Sequence, residues 1–174
     1  MEIRALRPSD DRSSFQSGDE ALDRFFHRYA GQNQFRHHIG VTYVVVDSGR
    51  VLGFATVAPR QLEIDELPER ARKKLPRYPV PVLGLARLAV DKSVQRMGIG
   101  GHLLRFVFRL AARMADDVGC FGLVVDAKPG AVEFYATYGF KPFESLEGQS
   151  EARPQPTAMW LPMQAIRAAS EPAH

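Results

Sequence analysis

The chain has 174 residues, 45% hydrophobic and 25% charged, the make-up of one soluble globular domain and too short for two of comfortable size. Lys and Arg number 23 against 20 Asp and Glu, a net charge of +3, which excludes the strongly basic profile of a dedicated nucleic-acid binder, and no run approaches the roughly 18 apolar residues of a membrane span. The opening Met1-Glu2-Ile3-Arg4 lacks the apolar stretch of a signal peptide and the lone Cys120 has no disulfide partner, so a cytoplasmic protein is expected.

Glu2–Leu6 reads as a first strand, stopped by Pro8. Leu22, Phe25, Phe26 and Tyr29 recur at helical spacing from Asp19, with Gly31 as the expected end. Thr42–Val46 is β-branched and aromatic, Asp47-Ser48-Gly49 is a turn, and Val51–Val57 is its hairpin partner, closed by Pro59. A connector over 60–81 holds a short helix near Pro68–Leu75, and the cations Arg70, Arg72, Lys73, Lys74 and Arg77 lie along or just past it. Val82–Val90 is an apolar strand broken only by Arg87. Gly98-Ile99-Gly100 opens an amphipathic helix with Leu103, Leu104, Val107, Phe108, Leu110 and Ala111 on its inner side and Gly119 as its stop. Leu123–Val125 is a short strand, Gly130–Tyr138 a short helix ended by Gly139, and Phe140–Phe143 another strand. After a polar loop over Glu147–Pro156, Ala158–Met163 is the last strand, and Trp160 on it fits a core position. The order implies an α/β (α+β) fold: one domain over 1–164, a mixed sheet with helices on both faces, and a tail over 165–174 that reads as a frayed helix or disorder.

The informative segment runs from Val90-Asp91-Lys92-Ser93-Val94 through Gln95-Arg96-Met97-Gly98 to Ile99-Gly100-Gly101-His102. A buried strand enters a glycine-rich loop that opens directly into a long helix. The first N–H groups of a helix lack intrahelical acceptors and carry the positive end of its dipole, so they form an anion site. Glycines at 98, 100 and 101 let a phosphate approach the backbone without a Cβ in the way. The spacing is wrong for a dinucleotide fingerprint, and His102 stands where a P-loop needs Lys and Ser or Thr.

Gln95-x-x-Gly98-x-Gly100 after Leu88-Ala89-Val90 resembles the acyl-CoA pyrophosphate motif of the GNAT N-acetyltransferases, and Phe134-Tyr135-Ala136-Thr137-Tyr138-Gly139-Phe140 is similar to that superfamily's helix-to-strand ending. The resemblance covers the chain from its first strand to Met163. It implies a GNAT fold, with a mostly antiparallel twisted sheet and a V-shaped splay between strands 4 and 5. It also implies acetyl-CoA as cofactor. Leu88, Ala89 and Val90 would then lie along the pantetheine arm, with Gln95, Arg96, Met97, Gly98, Ile99, Gly100, Gly101 and Phe134 completing the cofactor site. Tyr135 takes the place of the general acid that protonates the leaving thiolate. Homodimerisation is a further expectation.

Within the superfamily the chain most resembles the tRNA-acetylating toxins of toxin–antitoxin modules. The stretches that carry this are Phe15-Gln16-Ser17-Gly18-Asp19 with Leu22-Asp23-Arg24-Phe25, Ala30-Gly31-Gln32-Asn33-Gln34, and Pro79–Asp91 ending in Ala86-Arg87-Leu88-Ala89-Val90-Asp91. Ser17 replaces a customary cysteine and Ala86 a customary glycine. The resemblance implies a charged tRNA as acceptor and a small DNA-binding antitoxin as partner. A general base is not evident, since the strand before the loop offers Arg87 and no carboxylate. An α-amino group, with a pKa of about 7.7–8.0 lowered further by an adjacent ester, needs little help from one. Arg36, His37 and Arg87 are candidate acceptor contacts, and the His37-His38 pair has no companion cysteine to suggest a metal. Two other readings stay open: a GNAT enzyme for a small-molecule or protein amine, and an acyl-CoA-binding module without turnover.

Overall fold

The computed structural model describes residues 1–143 and 156–170. The polar loop expected over Glu147–Pro156 lies outside these residues except for Pro156. The described strands are β1 (Glu2–Ala5), β2 (Val41–Asp47), β3 (Arg50–Leu62), β4 (Val80–Val90), β5 (Gly122–Ala127), β6 (Lys141–Pro142) and β7 (Thr157–Pro162). They follow the order β1-β2-β3-β4-β5-β7-β6 in one mixed sheet, mostly antiparallel with β4 and β5 as its parallel pair. The described α-helices are α1 (Glu20–Arg24), α2 (Ala30–Phe35), α3 (Glu69–Arg72), α4 (Ile99–Asp117), α5 (Val132–Thr137) and α6 (Met163–Ser170). This is the α/β class the sequence implies. None of the described helices is long and apolar enough to cross a membrane.

The chain packs as two compact units. The first comprises Met1–Ala58 and Leu85–Arg109, the second Pro59–Gly84 and Leu110–His174. In the first, β2 and β3 form the expected hairpin, with Asp47 opposite Arg50 and the left-handed pair Ser48 and Gly49 between them. Two consecutive positive φ angles give the turn the twist that a two-residue hairpin needs. The core beside it is aromatic: Phe26 stacks on Phe54 at 4.4 Å, while Phe15 meets the two edge-on at 4.9 and 5.4 Å. All three rings are buried together with Phe25, Val44 and Ala89.

The first helix departs from expectation at Gly31. The Asp19 carboxylate caps α1 by accepting from the Leu22 N–H, a π-helical turn follows over Phe25–Tyr29, and the helix then continues as α2 to Phe35. Gly31 does not end it. A Cβ there would lie 3.1 Å from an Arg12 guanidinium nitrogen, and the same guanidinium donates to the Phe26 carbonyl at 2.9 Å. The glycine is thus explained by a close approach from a distant arginine, which local sequence does not reveal.

The hairpin pairing of β3 with β2 stops at Val57, just before Pro59 as expected, although β3 itself runs on to Leu62. Proline removes one donor and fixes φ, both tolerable in extended backbone wherever that N–H is not needed.

In the second unit Leu62, Leu67, Val80, Val82 and Val124 are buried together, and Trp160 stacks between Phe121 and Phe143 with ring centroids 6.1 Å from each. β5 pairs antiparallel with β7 from Gly122 opposite Pro162 to Ala127 opposite Thr157. Gly139, at φ +96°, ends the α5 segment: its N–H reaches the Ala136 carbonyl while that of Phe140 returns to Tyr135. Of the two readings of the tail, frayed helix or disorder, the helix holds: α6 runs from Met163 to Ser170. Ile166 is fully buried, and Arg167 pairs with Asp116 at 2.8 Å. One buried side chain on an amphipathic face holds such a helix, and helices of this length need tertiary packing.

Candidate active site

The expected phosphate turn lies wholly in the first unit. Gly98 has φ +87°, and the N–H of His102 donates to its carbonyl at 3.1 Å, the first bond of α4. The N–H groups of Ile99, Gly100 and Gly101 precede that bond and have no intrahelical acceptor. No acidic side chain occupies the first turn of α4, so that turn does nothing to neutralise the positive end of this helix of 19 residues. A Cβ added at Gly98 would meet nothing within 4 Å, so space stands open beside the donors. Arg96, exposed and left-handed at φ +65°, adds a cation without an ion-pair partner among the described residues. Open donors, a dipole end and a free guanidinium suit a diphosphate.

The start of α4 is held in place from below. Ile99 and Leu103 are buried, and a Cβ at Gly53 would lie 3.1–3.2 Å from both side chains and from the Ala89 carbonyl. Gly53 on β3 therefore lets the helix sit directly over the sheet. In β4, Ala89 is buried while Leu88 and Val90 are half-buried.

The loop between β4 and α4 is tied to the Phe15–Asp19 segment that leads into α1. Asp91 is 5% exposed, and its carboxylate accepts from the N–H of Gln16 at 3.0 Å, from the N–H and hydroxyl of Ser93, and from Arg50 at 3.0 Å. Burial alone would push this carboxyl up; those donors outweigh it and hold the group below the usual carboxylate range. Lys92 donates its N–H to the Gln16 carbonyl, and the Gln95 amide donates to the carbonyls of Ser17 at 2.7 Å and Val90 at 3.0 Å. Sequence reasoning assigned Gln95 to the cofactor and gave no role to Asp91, Gln16, Arg50 or Ser93. The local signal was present, since Asp-x-Ser is a side-chain-capped turn, but the partner at Gln16 is 75 residues away.

The three expected acceptor contacts also lie in this unit. Arg36 and His37 are exposed at the end of α2, where both N–H groups donate to the Gln32 carbonyl. Arg87 needs a partner inside its apolar strand, and the partner is a ring. Its guanidinium lies 3.7 Å over the centroid of Phe25, half-buried, and burial lowers its pKa.

Tyr135 and Phe134 lie on α5 in the second unit. Tyr135 is 5% exposed and packed edge-on against Phe134 at 5.2 Å and Phe140 at 5.5 Å. Burial pushes its hydroxyl well up from the ordinary phenol range. Half-buried Phe134 also rests on Tyr138, and the neighbouring Glu133 is exposed.

Known proteins resemble the chain over most of its length. The family model for the acetyltransferase (GNAT) domain matches residues 38–142. A "tRNA-acetylating toxin" of Mycobacterium tuberculosis is 34% identical over 139 residues, 79% of this chain and 82% of that protein. The solved structure of AtaT complexed with acetyl-methionyl-tRNAfMet is 28% identical with a TM-score of 0.81, covering 96% of this chain and 97% of the other. A tyrosine-to-phenylalanine variant of AtaT bound to the C-terminus of the antitoxin AtaR and acetyl-CoA is 25% identical with a TM-score of 0.77, covering 96% of each chain. A glycine-entered helix start and a family match over more than half its length together place the chain in the GNAT acetyltransferase family, enzymes that transfer an acetyl group from acetyl-CoA to an amine.

Proposed function

We propose that the chain acetylates the α-amino group of an aminoacyl-tRNA, as the toxin of a toxin–antitoxin pair. The observation that carries the acceptor is the 34% identity with a tRNA-acetylating toxin across four fifths of both chains. The neighbour solved with acetyl-methionyl-tRNAfMet supports it. An antitoxin partner is supported by the AtaT structure that holds the C-terminus of AtaR, and such a reaction belongs in the cytoplasm, where charged tRNA is.

Acetyl-CoA supplies the acyl thioester. In this reading the N–H groups of Ile99, Gly100 and Gly101 and the Arg96 guanidinium hold its pyrophosphate, with Gln95, Met97 and Gly98 shaping the turn. Leu88, Ala89 and Val90 follow its pantetheine arm, and Phe134 takes part in binding. Strand β4 carries no carboxylate to serve as base. The acceptor compensates, because a sizeable fraction of an α-amino group with pKa about 7.7–8.0 or lower is already neutral near pH 7. Tyr135 then donates a hydrogen bond to the departing sulfur. With its pKa raised by burial, complete transfer of the phenolic proton to a thiolate is uphill, so stabilisation by the hydrogen bond leads and solvent delivers the proton afterwards. Arg36, His37 and Arg87 contribute cations toward the tRNA end; Arg87 is kept half-desolvated and oriented by Phe25.

The test is to incubate the protein with labelled acetyl-CoA and either aminoacylated or deacylated tRNA. Label should enter only the charged tRNA and leave as an N-acetylated amino acid on mild ester hydrolysis. Labelling that ignores aminoacylation would count against this acceptor.

A further inference from the structure

Gln95 is exposed, yet both N–H bonds of its side-chain amide point back into the protein, to Ser17 and Val90. They are therefore unavailable to a ligand, and the remaining amide oxygen is an acceptor that an anion would not seek. Asp91 lies at the other end of the same loop, buried, with every contact made to protein. Between the two sit the residues that turn the chain into α4, including left-handed Arg96 at φ +65° and Gly98 at φ +87°. A non-glycine residue held left-handed is strained and persists only where its surroundings over-determine it. The surroundings here are the Phe15–Asp19 turn. Phe15 is locked in the aromatic core, its carbonyl accepts from His27 Nε2 at 2.8 Å, and the next residues supply Gln16 N–H to Asp91, Gln16 carbonyl to Lys92 and Ser17 carbonyl to Gln95. Ser17 is itself fixed, since its N–H and hydroxyl both donate to Asp23 at 2.9 and 2.6 Å.

We propose that Asp91 and Gln95 are positioning residues that brace the phosphate loop against the Phe15–Asp19 turn, so that the N–H groups of Ile99–Gly101 are aimed before any ligand arrives. The proposal rests on the assignment of those N–H groups to the acetyl-CoA pyrophosphate. Preorganised donors bind without the cost of ordering a loop. Removing either tether leaves the donors themselves in place and makes the ligand order them. The brace also gives a job to the segment Phe15-Gln16-Ser17-Gly18-Asp19. Gly18 belongs to it through its φ of +95° and its position, where a Cβ would lie 3.4 Å from the Lys92 side chain.

The experiment compares two ligands on wild type, Gln95→Met and Asp91→Asn by titration calorimetry. Coenzyme A contains the pyrophosphate, whereas acetyl-pantetheine ends before it. Losing one or two hydrogen bonds of ordinary strength predicts that coenzyme A binds about 5- to 20-fold more weakly to each variant, while acetyl-pantetheine affinity stays within about twofold, the usual reach of an uncoupled surface change. General loosening would weaken both ligands together and would overturn the brace, as would coenzyme A affinity equal to wild type in both variants. If wild type binds coenzyme A no better than acetyl-pantetheine, the pyrophosphate assignment itself fails and takes the brace with it. Gln95 is exposed, so its variant remains a folded reporter should Asp91→Asn compromise the core.

Discussion

Replacing Gly98 by alanine separates two roles that a phosphate-loop glycine combines. At φ +87° with nothing within 4 Å of an added Cβ, the substitution brings backbone strain and no clash. A left-handed L-residue costs about 1–2 kcal/mol, offset by the 0.4–1 kcal/mol gained when the unfolded chain is stiffened. The net loss is about 1 kcal/mol, a fall in Tm of about 2–4 °C for a chain of this size. Gly49, at the hairpin tip, has φ +78° and equally open surroundings, so Gly49→Ala should lose the same stability. The two variants should part company on ligand binding. The methyl at position 98 would occupy the open space beside the α4 donors, predicting at least about a tenfold loss of coenzyme A affinity, or ~1.4 kcal/mol, and Gly49→Ala should bind as wild type does. Differential scanning calorimetry and ligand titration on the pair measure both effects. Equal Tm losses with unchanged affinity in Gly98→Ala would refute the reasoning.

Tyr135→Phe should lower kcat by about 10²–10³-fold while leaving coenzyme A affinity within twofold, because only the hydrogen-bond donor to the leaving sulfur is removed; single-turnover kinetics beside equilibrium binding would show it, and an unchanged kcat would end the role. Asp91 should make stability depend on acid pH. Its folded pKa is depressed, so its contribution is in full above the unfolded carboxylate value of about 3.9 and is lost as pH falls through the lower folded value. The urea-midpoint gap between wild type and Asp91→Asn should therefore be widest near pH 6 and narrow toward pH 3; a gap independent of pH would contradict it.

Much of the fold was legible because the decisive signals were local. Asp47-Ser48-Gly49 located the hairpin turn, and the apolar stripe from Leu103 to Ala111 located the long helix, whose expected stop, Gly119, does adopt φ +103° with its N–H on the Met114 carbonyl. The failures share a non-local cause. Gly31 looked like a helix stop because nothing nearby announces the Arg12 guanidinium beside it. The end of the chain looked loose because the burial of Ile166 depends on packing that periodicity over eight residues scarcely encodes. In the site, the glycine spacing pointed to the open N-terminal end of α4, and an arginine in an apolar strand rightly demanded a partner, but its identity as the Phe25 ring required three dimensions. The tethers from Asp91 and Gln95 span 75 and 78 residues, beyond any motif.

The physical claim beneath all of this is that the free N–H groups at the start of α4 hold the diphosphate of acetyl-CoA. Hydrogen–deuterium exchange of the Ile99, Gly100 and Gly101 amides, with and without coenzyme A, measures that directly. The account predicts marked slowing at these three positions on ligand addition and none at Gly119, whose N–H is already bonded to Met114. Exchange at the helix start that is indifferent to saturating coenzyme A would contradict it.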